Sequence, residues 1–393
     1  MTTYSDRICS PDETMARVVP LLSRYGISRL ARLTDLDKIG IPVWNAIAPN
    51  SRSIVINQGK GIEDIDAKVS AAMEALERAV AGDPKLELRN ASQRELLSEG
   101  FGAETLDTLI LAGQREVHPE ESLSWTIGFD ILQKRPTWVP VNAVQLDDRS
   151  VNRFWQSSDG LASGNTLSEA TFHGLLERIE RDAEILSQFI PAEERRLNCV
   201  DPKSFRDPVV DSLAARVRAA GFRLQMFNIT SNVGVPCIEA FIAPAMPAGG
   251  VMRYIEMTQG AGAHPNSVRA AIRAITEAAQ SRLTYISGAR DDILPETFVR
   301  PLPDHLLKLL SIEPTEAPAK FETIAGTTVD EMLSSIVDRL VAVGIKSIIV
   351  VDLNPGEKAF SVAKVIVPGL ENPDGRRKRR LGPRALKRIM GAR

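Results

Sequence analysis

Residues 163–184, SGNTLSEATFHGLLERIERDAE, distribute apolar and polar positions with the period of a helix. Leu175, Leu176, Ile179 and Ala183 form an apolar face, which predicts a helix packed against another element. Glu169, Glu177 and Glu180 are separated by steps of eight and three, so all three return to nearly the same side of that helix. A second helix is predicted over residues 68–82, KVSAAMEALERAVAG. There Ser70, Glu74, Glu77 and Arg78 share one face, and Ala71, Ala72, Met73, Ala75, Leu76, Ala79 and Val80 fill the rest. Acids on so apolar a helix are either a solvated stripe or ligands in a cleft. Both helices repeat one grammar, a Glu followed three residues later by Glu-Arg: Glu74 before Glu77-Arg78, and Glu177 before Glu180-Arg181. That repetition favours a single metal–nucleotide site built from both, because clustered carboxylates repel one another unless a cation sits among them.

Around these helices the pattern predicts a helix over residues 13–25 ended by Gly26, and strand character over 41–57. The run Asn57-Gln58-Gly59-Lys60-Gly61 reads as a glycine turn; the phosphate-loop spacing is absent, and Lys60 or its neighbours either face a ligand or do not. Residues 85–120 read as a helical excursion, and 124–143 as paired strands. Two stretches, 212–244 and 332–369, each spell helix, glycine (Gly221, Gly344), strand, turn and strand. This recurrence is half of a ferredoxin-like unit, so the expected class is α+β with internally related lobes. Between the copies, 253–258 reads as a strand and Gln259–His264 as small residues ahead of a helix over 266–287; a third glycine is missing, which rejects a dinucleotide fold. His264 reads as a cap or a ligand-side group, and His118 has no assigned role. Residues 301–320 form a Pro-rich connection with a short helix at 304–310.

Composition narrows the class. The 393 residues carry a net charge of -2 and are 44% hydrophobic, which argues against a bulk nucleic-acid binder and fits a globular protein with a sizeable core. No apolar run is long enough to span a bilayer, and the N-terminus lacks a basic-then-apolar signal segment. Cys9, Cys199 and Cys237 are odd in number and far apart, which fits a reducing cytoplasm and neither a disulfide framework nor a thiolate metal site. The basic end, GRRKRRLGPRALKRIMGAR, reads as a solvated tail or as a contact for an acidic partner, a peptide or ribosomal RNA.

Mg²⁺ takes one or two carboxylates plus phosphate oxygens, so several Glu beside several Arg suit Mg-ATP better than a metal alone. Ser70 and Asn165 complete such a shell as neutral polar groups. Late in the 266–287 helix and just beyond it stand Glu277, Gln280, Arg282 and Arg290-Asp291-Asp292; guanidinium groups there suit phosphate oxygens.

The blocks SxxxExxER (Ser70 to Arg78), GNxxxEA…HGLxExIERD (Gly164 to Asp182) and GxGAHP…ExxQSR…GxRDD (Gly260 to Asp292) resemble, in order, the motifs of the YcaO family. The resemblance covers most of the chain. It implies a YcaO-like fold around a Mg-ATP cleft and an ATP-dependent enzyme that phosphorylates a backbone amide oxygen of a peptide. Position by position it implies nucleotide binding by Ser70, Glu74, Glu77, Arg78, Asn165, Glu177 and Arg181. Metal binding is implied for Glu74, Glu77, Glu169, Glu177 and Glu180, with Arg282 and Arg290 as catalytic phosphate contacts. It also implies a division into an N-terminal segment (1–60), a core holding the ATP motifs (61–300), a C-terminal lobe (301–370) and a basic tail (371–393).

Azoline-forming relatives end in a proline-rich tail, whereas this chain ends in Met390-Gly391-Ala392-Arg393. The segments VIVPGLE (365–371) and QSRLTYISGARDD (280–292) look more like the members that work with a TfuA-type partner to make thioamides. The resemblance then implies a peptide or protein substrate, a sulfur donor, a separate TfuA-like partner and a possible homodimer. Its alternatives are cyclodehydration to azolines, an accessory role in methylthiolation of a ribosomal protein, and a regulator that binds nucleotide without catalysis.

Overall fold

The computed structural model describes residues 4–147, 149, 152–245, 251–314, 321, 324, 326–372 and 377–391. Helix α1 (Pro11–Val18) precedes strands β1 (Arg29–Arg32), β2 (Val43–Ile47) and β3 (Ile56–Lys60), and β3 leads into α2 (Asp64–Gly82). Then come β4 (Leu88–Ala91), α3 (Gln93–Ser98), β5 (Gly102–Ala103), β6 (Leu123–Asp130) and β7 (Arg135–Pro140). Strand β8 (Leu161–Gly164) runs into α4 (Leu167–Ser187), followed by α5 (Ala192–Leu197) and α6 (Pro208–Ala219). After β9 (Phe222–Asn228), β10 (Cys237–Pro244) and β11 (Thr258–Ala263) lie α7 (Ser267–Ser287), α8 (Glu296–Val299) and α9 (Asp304–Leu310). Helix α10 (Val329–Ala342), β12 (Ile349–Asp352), β13 (Ser361–Ile366) and α11 (Pro383–Ile389) complete the order.

Among the described residues the strands form three sheets: β1-β2-β3, β11-β10-β9, and a seven-stranded sheet ordered β5-β7-β6-β12-β13-β8 with β4 on β6. The class is α+β, as the repeated helix–glycine–strand–turn–strand pattern predicts. Its two copies are α6-β9-β10 and α10-β12-β13, with Gly221 and Gly344 in the left-handed region that glycine enters without steric cost. Helix α4 packs on β8 and β13 of the large sheet and on β11 of another. Its Phe172, Leu175, Leu176 and Ile179 are completely buried, which is why this one helix can join two sheets.

Two predicted loops are strands, and for one reason. Residues 57–60 belong to β3 and 259–263 to β11. A Cβ on Gly59 would lie 2.0 Å from the Ala71 nitrogen of α2, and one on Gly260 would lie 2.3 Å from the Ala278 nitrogen of α7. These glycines let a helix lie almost on a strand, so the small residues serve close packing and not an anion loop. The predicted 253–258 strand is a short 3-10 turn at Tyr254–Glu256, with the strand beginning at Thr258. The predicted helical excursion over 85–120 holds β4 and β5 with only the short α3 between them, and β4 extends the large sheet through β6.

The basic end is not a solvated tail over its described part. Arg384 makes two 2.8 Å bonds to Asp182 of α4, whose side chain is completely buried. Glu371 accepts from the Gly382 and Ala385 amides, and Arg377 is buried over Trp155. Arg384→Ala should therefore cost about 3 kcal/mol by leaving the buried Asp182 carboxylate without its cation, held by the Glu371 amide. Lys387→Ala, on the exposed side of α11, should stay within about 0.5 kcal/mol in the same urea titration.

Candidate nucleotide–metal site

Helices α2 and α4 bring their acids to a common place through residues 157–160, the loop entering β8. Arg78 of α2 donates to Ser158 Oγ at 3.3 Å, while Asp159 Oδ1 lies 3.5 Å from Arg181 Nε of α4. Glu177 accepts from the Gly160 amide at 3.1 Å. Arg181 is the hub of the α4 side: it bonds Glu184 at 2.6 Å and lies 3.7 Å from both Glu177 and Glu180. Glu180 is almost fully buried and accepts from the Ala263 amide of β11 at 2.9 Å. On α2, Glu74 lies 3.5 Å from Arg78. Ser70 stands one turn earlier on the same helix, half-buried.

The balance of charge in this cluster is unfavourable to the acids. Burial pushes the Glu77 carboxyl well above its usual range, and the charges of Glu74 and Glu177 push it further. Burial raises Glu177 to about 7 even with Arg181 opposing, and Asp159 and Glu180 add to the rise. Glu184 is pushed to about 8 by burial, against the pull of Arg181. Glu277 of α7 also loses water, but the Lys60 ammonium at 2.7 Å and Arg181 outweigh that and hold it below the ordinary value. Three partly buried carboxyls whose ionisation is disfavoured are what a site looks like when its positive charge is supplied from outside.

Other predicted residues lie in neighbouring arrangements. Glu169 is completely buried at the first turn of α4, where it accepts from Arg7 at 2.7 Å and from Asn165. Asn165 also accepts from Thr14 of α1. This network accounts for the Glu169 carboxylate without the acids of the cluster. Arg290 pairs with Asp292 and feels Glu74, and Asp292 feels Arg78, so this pair stands at the α2 edge of the cluster. Arg282 does not join it: its guanidinium bonds Asp37 at 2.8 Å and covers the Phe222 ring, which leaves it a structural cation. His264 acts as a cap, as its position suggests. Its Nδ1 accepts from the Asn266 amide and its Nε2 faces Asp6. Burial, with Arg273 adding, lowers it to about 3 and keeps it neutral.

A scan of family models matches residues 58–371 to the YcaO cyclodehydratase model, described as ATP- and Mg²⁺-binding. The chain belongs to the YcaO family. A protein encoded in the tfuA 3′ region of Rhizobium leguminosarum bv. trifolii is 39% identical over the full length of this chain and 95% of its own. A Methanothermobacter thermautotrophicus protein is 32% identical over 92% of this chain and 94% of its own. Among solved structures, YcaO from Methanopyrus kandleri bound with AMPPCP and Mg²⁺ superposes with a TM-score of 0.71 at 24% identity, covering 93% of this chain and 92% of that one. A heterocyclase in complex with substrate and cofactor superposes with a TM-score of 0.77 at 21% identity over 93% of this chain, which spans about half (53%) of that protein. ATP and Mg²⁺ are thus the cofactors of the family to which the chain belongs, and among the described residues no helix is long and apolar enough to cross a membrane.

The residues present fit those cofactors. Among the described residues no three His, Cys, Asp or Glu side chains converge as a ready-made metal cage. That agrees with Mg²⁺, which takes few protein ligands and shares its shell with phosphate. Buried nitrogens beside the cluster also lack hydrogen-bond partners: Arg78 Nε, Arg273 Nε and both ring nitrogens of His173. Asp159, Glu184, Arg273, Lys364 and Arg7 are part of this surrounding and escaped the motif reading. Glu184 was within reach, since it continues the spacing of Glu177 and Glu180 by one turn; Lys364 and Arg7 come from distant segments and left no signal.

The raised carboxyls contribute to the pH dependence of the metal-free protein. Their folded pKa values exceed the unfolded value near 4.5, so their contribution to stability is fully present below pH 4.5 and is lost as pH rises through 7 to 8. Glu177→Gln should therefore stabilise the metal-free protein by about 1 kcal/mol at pH 8 and change little below pH 4.5. Thermal unfolding across that range checks the sign.

Proposed function

We propose that this protein uses Mg-ATP to phosphorylate a backbone amide oxygen of a ribosomally made peptide or protein, after which sulfur replaces that oxygen to give a thioamide. The observation that carries the ATP half is the group of partly buried, incompletely neutralised acids that α2 and α4 bring to the 157–160 loop. The sulfur half is supported by the full-length similarity to a protein encoded beside tfuA. A TfuA-like protein is the proposed partner, delivering the peptide or the sulfur in the cytoplasm.

Glu74, Glu77, Glu177 and Glu180 would supply the one or two carboxylates that each Mg²⁺ shares with phosphate, while Arg78, Arg181 and Arg290 would meet phosphate oxygens. When bound, Mg²⁺ supplies positive charge to the transferring phosphoryl group, a large electrostatic contribution to such reactions. The chain's own part is to keep these groups in place before reaction. The Ala263 amide fixes Glu180, the Gly160 amide fixes Glu177, and Asp159 and Glu184 aim the Arg181 guanidinium. Ser70 and Asn165 would complete the nucleotide contacts as neutral groups.

The test is incubation with ATP, a candidate peptide, a sulfide source and a TfuA-type protein, followed by mass spectrometry. A thioamide gains the difference between sulfur and oxygen, whereas an azoline loses one water. Unchanged peptide mass, with nucleotide bound but not turned over, would instead identify a regulator. Glu180→Ala should lower peptide-dependent ATP turnover by at least about a hundredfold, on the scale of losing a preorganised electrostatic contact. Undiminished turnover in that variant would contradict the site.

A further inference from the structure

Behind the acid cluster, where β13 passes under the C-terminal segment, is a small cavity lined by Trp155, Ser157, Asp159, Arg178, Lys364 and Asn372, among others. It offers about 30 Å³ to solvent, room for one or two water-sized groups and too little for a phosphate or a peptide.

Its charged lining is unusual. Arg178 of α4 is 3% exposed; its Nη2 donates to the Glu371 carbonyl at 2.7 Å, but its Nη1 is buried with no hydrogen-bond partner. Lys364 of β13 is 4% exposed and donates to the Asp159 carbonyl at 2.8 Å and to that of Ser157. An ammonium has three donors, so among the described residues one remains unused. Among the described residues the acid lining the cavity is Asp159, which is engaged with Arg181 and the Ser157 hydroxyl. Glu177 and Glu77 act on Lys364, and Glu177 on Arg178, from beyond the wall without bonding them. Asp182, further along α4, is taken by Arg384. Two buried cations with unspent donors therefore share a cavity in which, among the described residues, no acceptor meets those donors. Burying charged donors without an acceptor is costly, and a compact anion relieves both at once.

We infer that this cavity is a binding site for one small monoanion, of the size of a halide or hydrosulfide, held between Arg178 Nη1 and Lys364 Nζ. Its wall is shared with the acid cluster. Lys364 anchors the 157–160 loop, and the same loop reaches Arg78, Glu177 and Arg181. In the hydrosulfide case, which rests on the proposed thioamide chemistry, the nucleophile would be stored one loop away from the nucleotide.

Crystals of the full chain equilibrated with sodium bromide test the site by anomalous scattering. A bromide peak bounded by Arg178 Nη1 and Lys364 Nζ is expected, lost in Lys364→Met and in Arg178→Met. If Arg178→Met does not fold, Arg178→Lys replaces it and should shift the peak towards the new ammonium. Water-sized density without anomalous signal at saturating bromide would overturn the inference, as would a peak that survives both substitutions. Sodium hydrosulfide and sodium chloride are then compared as competitors. Displacement by hydrosulfide at far lower concentration assigns the site to sulfur, and equal displacement assigns it to halide. Bromide binding needs no turnover, so its absence would leave the thioamide proposal standing, and a failed thioamide assay would leave the anion site standing.

Discussion

The structure depends on a shortage of positive charge around two helices, α2 and α4, that pack on the same strand, β8. Glu77 of α2 and Glu177 and Glu184 of α4 lose water along this cluster, and their neighbours include more acids. Arg181 lies among four carboxylates and cannot neutralise all of them. A fold that needed only stability would do better with apolar side chains there, since buried ionic groups seldom outperform well-packed hydrophobic ones. The arrangement makes sense as one half of an electrostatic pair whose other half arrives with a metal and a nucleotide.

What holds the acids in register is close packing of small residues. Gly59 against Ala71 and Gly260 against Ala278 let α2 and α7 lie almost on their strands. The first contact carries Lys60 to Glu277, so a packing device also sets a charge pair. On the far side of α4, Arg178 and Asp182 hold Glu371 and Arg384, and the helix that aims acids into the cluster is thereby gripped from behind by the C-terminal segment. The chemistry and the end of the chain are coupled through alternate faces of one helix.

Much of this was legible before any coordinates. The helical period exposed α2 and α4 and the shared face of their acids, because amphipathic spacing is a local property that tertiary contacts seldom overrule. Gly59 and Gly260 were misread because glycine marks both turns and close approaches, and only the partner helix tells them apart. The 85–120 stretch was misread because β4 is short and its reason for being a strand is β6, far along the chain. Arg282 looked like a phosphate ligand by motif proximity, but at the end of α7 its direction is set by Asp37 and Phe222, which no local pattern reveals. The basic tail looked solvated because its charge is local and its acidic partner, Asp182, is not.

The most direct test of the central claim is the proton balance of nucleotide binding, measured by calorimetric titration of the protein with ATP in buffers of different ionisation enthalpy, with and without Mg²⁺. If the raised Glu77 and Glu177 carboxyls become metal ligands, Mg-ATP binding near pH 7 releases protons, because these groups must ionise to hold the ion. The account predicts Mg²⁺-dependent affinity with proton release that shrinks in Glu177→Gln. Equal affinity without Mg²⁺, with no release of protons, would contradict it.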